Sequence, residues 1–361
     1  MKYGRTLEEL AQELTRQMTA KQDYLVDTRR MRFDADKNGA MLSLNNDVSG
    51  VTTMLRINEV AHNQIGTSLG IPAKYYDKMR RENPSLLATN VNSWFDTDPE
   101  VRMVRTLDGT ARAFLSKQYR RIDNYEVAMN VLPIIASMPD ANVESCEITD
   151  SRMYIKVVNP RLTTEVVPGD IVQSGILITN SEVGMGSLTV QPLVYRLVCR
   201  NGMVVNDAKT SQRHVGRGNM AEDDFTLYAD ETLKADDHAL MLKVRDTVKA
   251  VVDQTRFDRV VDMMRQAKDA KITTANIPAM IELASDDFKF TKPESTSILD
   301  YLIRGGDLTL YGMANAVTRA AQDVESYDRS TAMESIGYDI LSMSASKWNR
   351  LNAVSAIATV S

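Results

Sequence analysis

Arginine side chains in the middle of the 361-residue sequence are the ones best suited to chemistry. Within one stretch of twenty residues Asp108 is the only acid, and the cations are Arg102, Arg105, Arg112, Lys117, Arg120 and Arg121. A second basic group, in which Asp207 is the only acid, contains Arg196, Arg200, Lys209, Arg213 and Arg217. A guanidinium group holds phosphate through paired hydrogen bonds, and tyrosine rings stack on bases. The pattern therefore predicts a nucleic-acid-binding surface formed by Arg105, Arg112, Lys117, Tyr119, Arg120, Arg121, Tyr195, Arg196, Arg200, Arg213 and Arg217.

Two other interpretations of these residues stay open. A one-sided run of charge is also typical of a solvated sheet face, or of cations that pair with the acidic run from Glu222 to Asp237, which has seven acids and one Lys. Alternatively, polar residues near strand ends and turns converge on a pocket for a phosphorylated ligand. In that pocket Glu182 and His214 would be the acid and base if they lie within hydrogen-bond reach. The pocket residues are Asn180, Glu182, Asn201 and His214.

Common catalytic signatures are missing from the sequence. It contains no phosphate-binding loop, no His-Glu-x-x-His and no Gly-x-Ser-x-Gly motif. The segment from Gly216 to Ala221 matches a dinucleotide glycine pattern formally, but it follows no clear strand and leads into acids. Asp96, Asp98 and Glu100 are better explained as a turn before a strand than as a cation site. We therefore predict no catalytic residue, no metal site and no cofactor.

Composition and charge indicate an ordinary globular protein. The net charge is -5, 43% of the residues are hydrophobic, and the two cysteines fit a reducing compartment rather than a disulfide scaffold. No apolar run approaches the roughly 18 residues of a membrane span, and the first residues lack a signal-peptide core, so we expect an intracellular protein without a membrane partner. The charge is uneven. Residues 102–217 hold 14 Lys and Arg against 11 Asp and Glu, whereas the rest holds 29 against 37.

Strand signals are concentrated in the same basic segment. Asp108-Gly109 predicts a tight turn between two strands, and helical spacing predicts a helix from Asn124 to Met138. Two further hairpins are expected at 143–158 and 171–199, where Gly184 and Gly186 in the connecting loop suit positive φ or close backbone approach.

The expected fold class is therefore α+β. A central antiparallel sheet is built from hairpins, a helix follows the first hairpin, and helical regions flank the sheet. The expected divisions are a mainly helical region at 1–100 with short strands at 41–44 and 51–57, a basic strand-rich core at 101–220, and an acidic linker with C-terminal helices at 221–361.

Several segments in order resemble a known family. They are Arg112–Asn124, Asn180–Gly184, Tyr195–Met203, His214–Gly216 and, near the C-terminus, Thr309–Thr318. These motifs are similar to the core pattern of the phage/plasmid-like proteins, a domain of unknown function numbered 932, over about Ile57 to Thr318. The resemblance implies residence on phages, prophages or plasmids, and hence the cytoplasm of a bacterial host, but it implies no established activity or catalytic residue.

A mobile-element protein with a basic, arginine-rich sheet favours a single-stranded DNA binding or annealing function in recombination or replication. Such proteins act as rings or filaments, so a homo-oligomer is expected. The order of hairpin, helix and strands is loosely similar to the Rad52-like annealing fold. The alternatives are a protein-interaction module that acts on a host factor or defence system, and an enzyme with the phosphorylated-ligand pocket near Glu182 and His214.

Overall fold

The computed structural model describes residues 1–46, 50–119, 121–206, 230–251 and 253–354. In the first part of the chain, helices and strands mix closely, and a short 3-10 turn at Thr28–Arg30 joins β1 to β2. The elements are α1 (Leu7–Ala20), β1 (Lys21–Asp27), β2 (Met31–Asp36), β3 (Gly39–Asn46), β4 (Val51–Ile57), α2 (Glu59–Ser68), α3 (Ala73–Glu82), α4 (Pro84–Thr97), β5 (Val101–Leu107) and β6 (Thr110–Ser116).

These strands form one six-stranded sheet in the order β1-β5-β6-β4-β3-β2. The pairs are antiparallel except β4 with β6, which run parallel. One face of the sheet buries Phe33, Leu42, Val104 and Phe114, and helices α2 to α4 cover it with apolar side chains such as Phe95. The opposite face of β5 and β6 carries Arg105 and is turned toward the rest of the protein.

A second sheet follows. Its elements are α5 (Asn124–Ser137), β7 (Asn142–Ile148), β8 (Met153–Glu165), β9 (Ile171–Asn180), β10 (Thr189–Arg196) and β11 (Asn201–Val204). All neighbours in this sheet, in the order β11-β10-β9-β8-β7, are antiparallel. Ile155 and Ile178 on one face pack with Leu10 of α1 and Val131 of α5.

The C-terminal helices that follow residue 253 cover the other face of the second sheet, whereas the helix at 230–251 packs with α5 on the first face. Val172 and Val194 of the sheet share a core with Phe257 and Tyr311, and most of the helical residues in that core are small or aliphatic. The helices are α6 (Asp230–Val251), α7 (Gln254–Asp269), α8 (Ile277–Phe288), α9 (Lys292–Gly305), α10 (Leu310–Ala320), α11 (Tyr327–Leu341) and α12 (Ala345–Asn352). Within the described ranges, no helix is both long enough and apolar enough to cross a membrane.

The predicted α+β class is confirmed, with helical regions toward both ends. The three predicted hairpins are β5–β6, β7–β8 and β9–β10, and the predicted helix is α5. The strands form two sheets rather than the single central sheet that was expected, because β1 to β4 supply four of the six strands in the first one. Strand β1, which contains Tyr24, Leu25 and Val26, follows α1 directly. No turn residue lies between the two elements, so no local signal marks where the helix ends and the strand begins.

Candidate functional site

A buried network of ion pairs holds the two sheets together. Arg105 on β5 is fully buried, and it lies directly opposite Asp23 of β1 in the strand register. Its Nε donates to Asp23 at 2.8 Å, its Nη2 donates to Asp123 at 2.8 Å, and its Nη1 donates to the backbone carbonyl of Glu182 at 2.8 Å. Lys21 Nζ lies 2.5 Å from the second oxygen of Asp123. Every charge in this cluster therefore has an opposite partner, as buried charges require.

The carboxyl group of Asp123 stays ionised. Burial alone raises the pKa of Asp123, but hydrogen bonds from Lys21 and Arg105 outweigh burial, so the net pKa lies below its usual value. Burial likewise opposes the charged form of Arg105, and the hydrogen bonds to Asp23 and Asp123 raise its pKa overall. Asp123 and Arg105 are therefore a pair of opposite charges at neutral pH.

Glu182 connects this network to Arg112. Its side chain is 4% exposed, and Oε1 accepts the backbone N–H of Asn124 at 2.6 Å, at the first residue of helix α5. A helix N-terminus stabilises an anion, so α5 contributes to holding this carboxylate. Oε2 accepts Nη2 of Arg112 at 2.5 Å, and Lys21 Nζ lies 3.6 Å from Oε1. Glu182 thus fixes the position of Arg112.

A β-bulge places Arg112. Arg105 is opposite Ala113 and Thr106 is opposite Ala111, so Arg112 is an extra residue on β6 without a partner on β5. Bulges interrupt the alternation of side chains and redirect one of them, frequently beside a functional site. Arg112 is 8% exposed, and its buried Nε has no hydrogen-bond partner among the described residues. A buried guanidinium N–H without a partner indicates a missing acceptor, and Arg112 is one of the residues that line a cavity.

The cavity beside Arg112 is a cleft of about 410 Å³ between the two sheets. We call it the arginine cleft. Arg56 of β4 reaches it from the position opposite Thr110 in the parallel pair, and Arg152 reaches it from the turn before β8. In the part of the chain that the structure describes, neither Arg56 nor Arg152 has a carboxylate partner. Two further arginines line the wall, Arg5 and Arg16, and both are ion-paired. The wall also includes four carboxylates, Glu13, Asp108, Asp150 and Glu182, and the neutral polar residues Asn58, Thr110, Asn124, Thr149 and Ser151.

The backbone conformation and close packing of the loop between β9 and β10 require its two glycines. Gly184 has φ of +75°, and a Cβ there would lie 2.7 Å from Cδ2 of Leu115. At Gly186 a Cβ would lie 2.7 Å from Nη2 of Arg152, which donates to the backbone carbonyl of Met185. The prediction of positive φ or close approach is therefore confirmed for this loop. Both glycines let the loop pack against β6 and Arg152 at the cleft.

The predicted nucleic-acid surface does not form from its buried members. Arg105 and Arg112 belong to the network above. Tyr195 is 5% exposed and donates to Glu144 Oε1 at 3.1 Å. Arg196 forms two hydrogen bonds with the buried carboxylate of Asp170, at 2.6 and 2.9 Å. These charges and hydroxyls are satisfied inside the protein by acids that lie outside the run from Glu222 to Asp237, namely Asp23, Asp123, Glu144, Asp170 and Glu182.

The other predicted nucleic-acid residues are more scattered. Lys117, Arg121 and Arg200 are exposed, and Arg121 forms an ion pair with Asp23 at 3.2 Å. Tyr119 is partly buried, and its hydroxyl donates to the carbonyl of Ser181. Arg120, Arg213 and Arg217 lie outside the described residues.

The predicted pocket residues are brought together only in part. Asn180 is buried and donates to Oδ1 of Asn124 at 2.8 Å, so it supports the helix end that holds Glu182. Asn201 lies in β11 and donates to Oγ1 of Thr318, and neither of these residues belongs to this network. His214 lies outside the described residues. Among the residues that the structure describes, no group of three His, Cys, Asp or Glu side chains is placed to hold a metal ion.

Sequence reasoning missed the two arginines that line the cleft without an acidic partner. Arg56 and Arg152 are isolated in the sequence, so the density of charge gave no signal for them. A usable signal for Arg152 was its position in a short turn, Thr149–Arg152, between two predicted strands.

Comparison with known proteins places this region in a family. A family model described as a domain of unknown function (DUF932) matches residues 113–350, more than half of the chain. The chain belongs to this family. The DUF932 match begins later than the resemblance at Ile57 and extends beyond Thr318. No curated protein and no solved structure matches the chain, so a resemblance to the Rad52-like fold is not supported.

Proposed function

We propose that this DUF932 protein binds a phosphate-bearing small molecule in the arginine cleft. The observation that carries the proposal is the buried, unpaired Nε of Arg112 at the wall of a cleft that Arg56 and Arg152 also line. Five arginines and four carboxylates line the cleft, and the guanidinium groups of Arg56, Arg112 and Arg152 supply donors for phosphate oxygens. Glu182 and the N-terminus of α5 hold Arg112 in place before the ligand arrives, which lowers the entropy cost of binding.

The size of the cleft favours a small ligand. A volume of about 410 Å³ lies within the range of about 300 to 1,000 Å³ that is typical of small-molecule sites. Glu182 lines the cleft and accepts a hydrogen bond from Arg112, so it is the candidate acid or base if the protein acts on the ligand as well as binding it.

Single-stranded DNA is the second candidate. The observation in its favour is the exposed charge of Lys117 and Arg121 on the connection from β6 to α5, with Arg121 linked to the buried network through Asp23. A DNA strand would meet these cations in succession and would lose affinity steeply with salt. A ring or filament, a phage or plasmid origin and a role against a host factor stay predictions.

Titration calorimetry with inorganic phosphate and with a 20-nucleotide oligo(dT) tests both candidates. We expect Arg56→Gln to weaken phosphate binding about tenfold, because a charge-assisted hydrogen bond contributes roughly 1.5 kcal/mol or more. Lys117→Gln is the matched control, since Lys117 is an exposed cation outside the cleft. Equal losses in the two variants would contradict the proposal. Oligo(dT) binding that depends on Lys117 and not on Arg56 would favour the second candidate.

A further inference from the structure

A second cavity lies on the other side of Arg152. It has a volume of about 280 Å³ and is enclosed by β8, β9 and β10 of the five-stranded sheet and by helix α11. We call it the hydroxyl cavity, because its walls are rich in hydroxyl groups: Tyr154, Thr179, Ser187, Thr189, Thr331 and Ser335. Only Arg152 and Asp328 carry a charge among the lining residues.

The hydroxyl group of Thr331, which lines this cavity, has no hydrogen-bond partner among the residues that the structure describes. Thr331 is 6% exposed, and its Oγ1 is buried without a hydrogen-bond partner among the described residues. Leaving a buried hydroxyl unsatisfied costs about 1 to 3 kcal/mol, so such a group indicates a missing partner. Ser335 lies one helical turn further along α11, which puts both side chains on the same side of the helix.

The opposite wall presents neutral polar groups. Thr179 and Thr189 are directly opposite each other in the strand register, and their hydroxyls are 2.8 Å apart. The amide of Gln191 donates to Oδ1 of Asn206 at 3.0 Å. Walls of hydroxyl and amide groups suit a ligand that itself carries several hydroxyl groups, since each can both donate and accept.

A single hydrogen-bonded unit separates the two cavities. Asp328 accepts from Ser151 at 2.7 Å and from Thr149 at 3.0 Å on the arginine-cleft side, and from the hydroxyl of Tyr154 at 2.7 Å on the other side. Arg152 lines both cavities. A ligand whose phosphate binds Arg152 would therefore have its adjacent atoms beside the hydroxyl cavity.

We propose that the hydroxyl cavity binds the sugar part of the same ligand, so that the ligand is a phosphorylated sugar. This inference rests on the proposed phosphate binding. Tyr154 is the only aromatic residue of the cavity, and its ring is 3% exposed with its hydroxyl held by Asp328. The cavity therefore offers hydrogen bonds to a sugar but no open aromatic face for a base. The shared chemistry is a pentose phosphate, either free or as part of a nucleotide.

Calorimetry with ribose 5-phosphate, inorganic phosphate, ribose and AMP tests the inference on the full chain. We expect ribose 5-phosphate to bind at least tenfold more tightly than phosphate or ribose. Thr331→Val, which keeps the shape of the side chain, and Ser335→Ala are expected to reduce that advantage about fivefold and to leave phosphate affinity unchanged. Thr296→Val, at an exposed threonine of α9, is the control.

The outcomes separate the two proposals. If phosphate binds and depends on Arg56, but ribose 5-phosphate binds no more tightly, the sugar assignment is wrong and the phosphate site stands. If ribose 5-phosphate binds more tightly and both cavity variants keep its full advantage, the sugar does not occupy this cavity. If no phosphate compound binds at millimolar concentration, both proposals fail. AMP that binds tenfold more tightly than ribose 5-phosphate identifies the nucleotide form, and equal or weaker AMP binding identifies the free sugar phosphate.

Discussion

Replacing Arg105 with methionine removes the centre of the ion-pair network and keeps most of the side-chain volume. Arg105 is fully buried and forms hydrogen bonds with Asp23, Asp123 and the carbonyl of Glu182. After the change, the cations that remain among the described residues are Arg121 for Asp23, at 3.2 Å, and Lys21 for Asp123, at 2.5 Å. Two carboxylates then stay partly buried with half of their partners.

The expected loss follows from those remaining contacts. Removing one partner of a buried ion pair costs about 3 to 5 kcal/mol, because the other charge stays desolvated. Since Lys21 and Arg121 still compensate part of the charge, we expect the lower end, about 3 kcal/mol of the free energy of unfolding. The acid sensitivity also changes. The lowered pKa of Asp123 gives stability that is present above its unfolded pKa and is lost as the pH falls through the folded value. Without Arg105 that pKa rises, so the loss in acid is smaller.

Urea unfolding followed by far-UV circular dichroism at pH 7 and at a pH below 3.8, where the Asp123 contribution is lost, measures both effects. Arg121→Met is the matched control, because Arg121 also pairs with Asp23 but its side chain is 57% exposed. An exposed ion pair contributes less than about 1 kcal/mol, so this variant should resemble the wild type. The reasoning is refuted if Arg105→Met loses less than 1 kcal/mol, or if the two variants lose the same amount.

Two further predictions concern buried titratable groups. Burial lowers the pKa of His62 to about 4, and its Nδ1 lies 2.9 Å from the hydroxyl of Tyr76. The unfolded chain therefore binds more protons between about pH 6.5 and pH 4, and stability should fall by about 3 kcal/mol as the pH drops through that window. His62→Phe should remove this dependence in urea titrations, and an unchanged slope would contradict it. Lys156 and Glu334 form a fully buried pair at 2.7 Å, so Lys156→Met alone should cost about 3 kcal/mol or more. The double variant Lys156→Met with Glu334→Leu should recover most of that loss in thermal unfolding, and a loss as large as the sum of the single variants would count against it.

Local sequence signals predicted helices and hairpins well. They did not predict the features that depend on pairing between strands far apart in the sequence. Asp108 and Gly109 both have positive φ, at 51° and 71°, as a tight hairpin turn requires, so the β5–β6 hairpin was readable from two residues. Strand β1 was not readable, because its register is fixed by β5, about eighty residues later. The division into two sheets depends on that pairing and on the parallel contact of β4 with β6.

The candidate site was predicted only through Glu182 and the arginine beside it. Arg112 entered the sequence argument as a nucleic-acid contact, and Glu182 entered as a pocket residue, but no spacing connects two residues seventy positions apart. The bulge that turns Arg112 toward the cleft depends on the register between β5 and β6. A sequence pattern cannot show it, since one residue of slip reverses the faces.

The density of charge along the chain misled the functional argument for a physical reason. Arginines that cluster in a strand-rich segment point to both faces of their sheets, and those that point inward must find acids. Asp123, Asp170 and Glu182 supply these acids from within the same basic segment. The count of charged residues over the segment therefore includes ion pairs whose charges cancel inside the protein. For this reason the count says little about the electrostatic potential at the surface.

A ligand in the arginine cleft would meet the arginines that have no carboxylate partner there. Among the described residues that line the cleft, these are Arg56 and Arg152, which come from different sheets, and Arg112 adds a donor that Glu182 does not use. Arg56 and Arg112 precede the DUF932 match at residues 113–350, whereas Arg152, Glu182 and the hydroxyl cavity lie inside it. If the ligand is a sugar phosphate, the matched region holds the sugar and the preceding strands supply two of the three arginines for the phosphate. Phosphate affinity should therefore depend on β4 and β6 even though the sugar contacts do not.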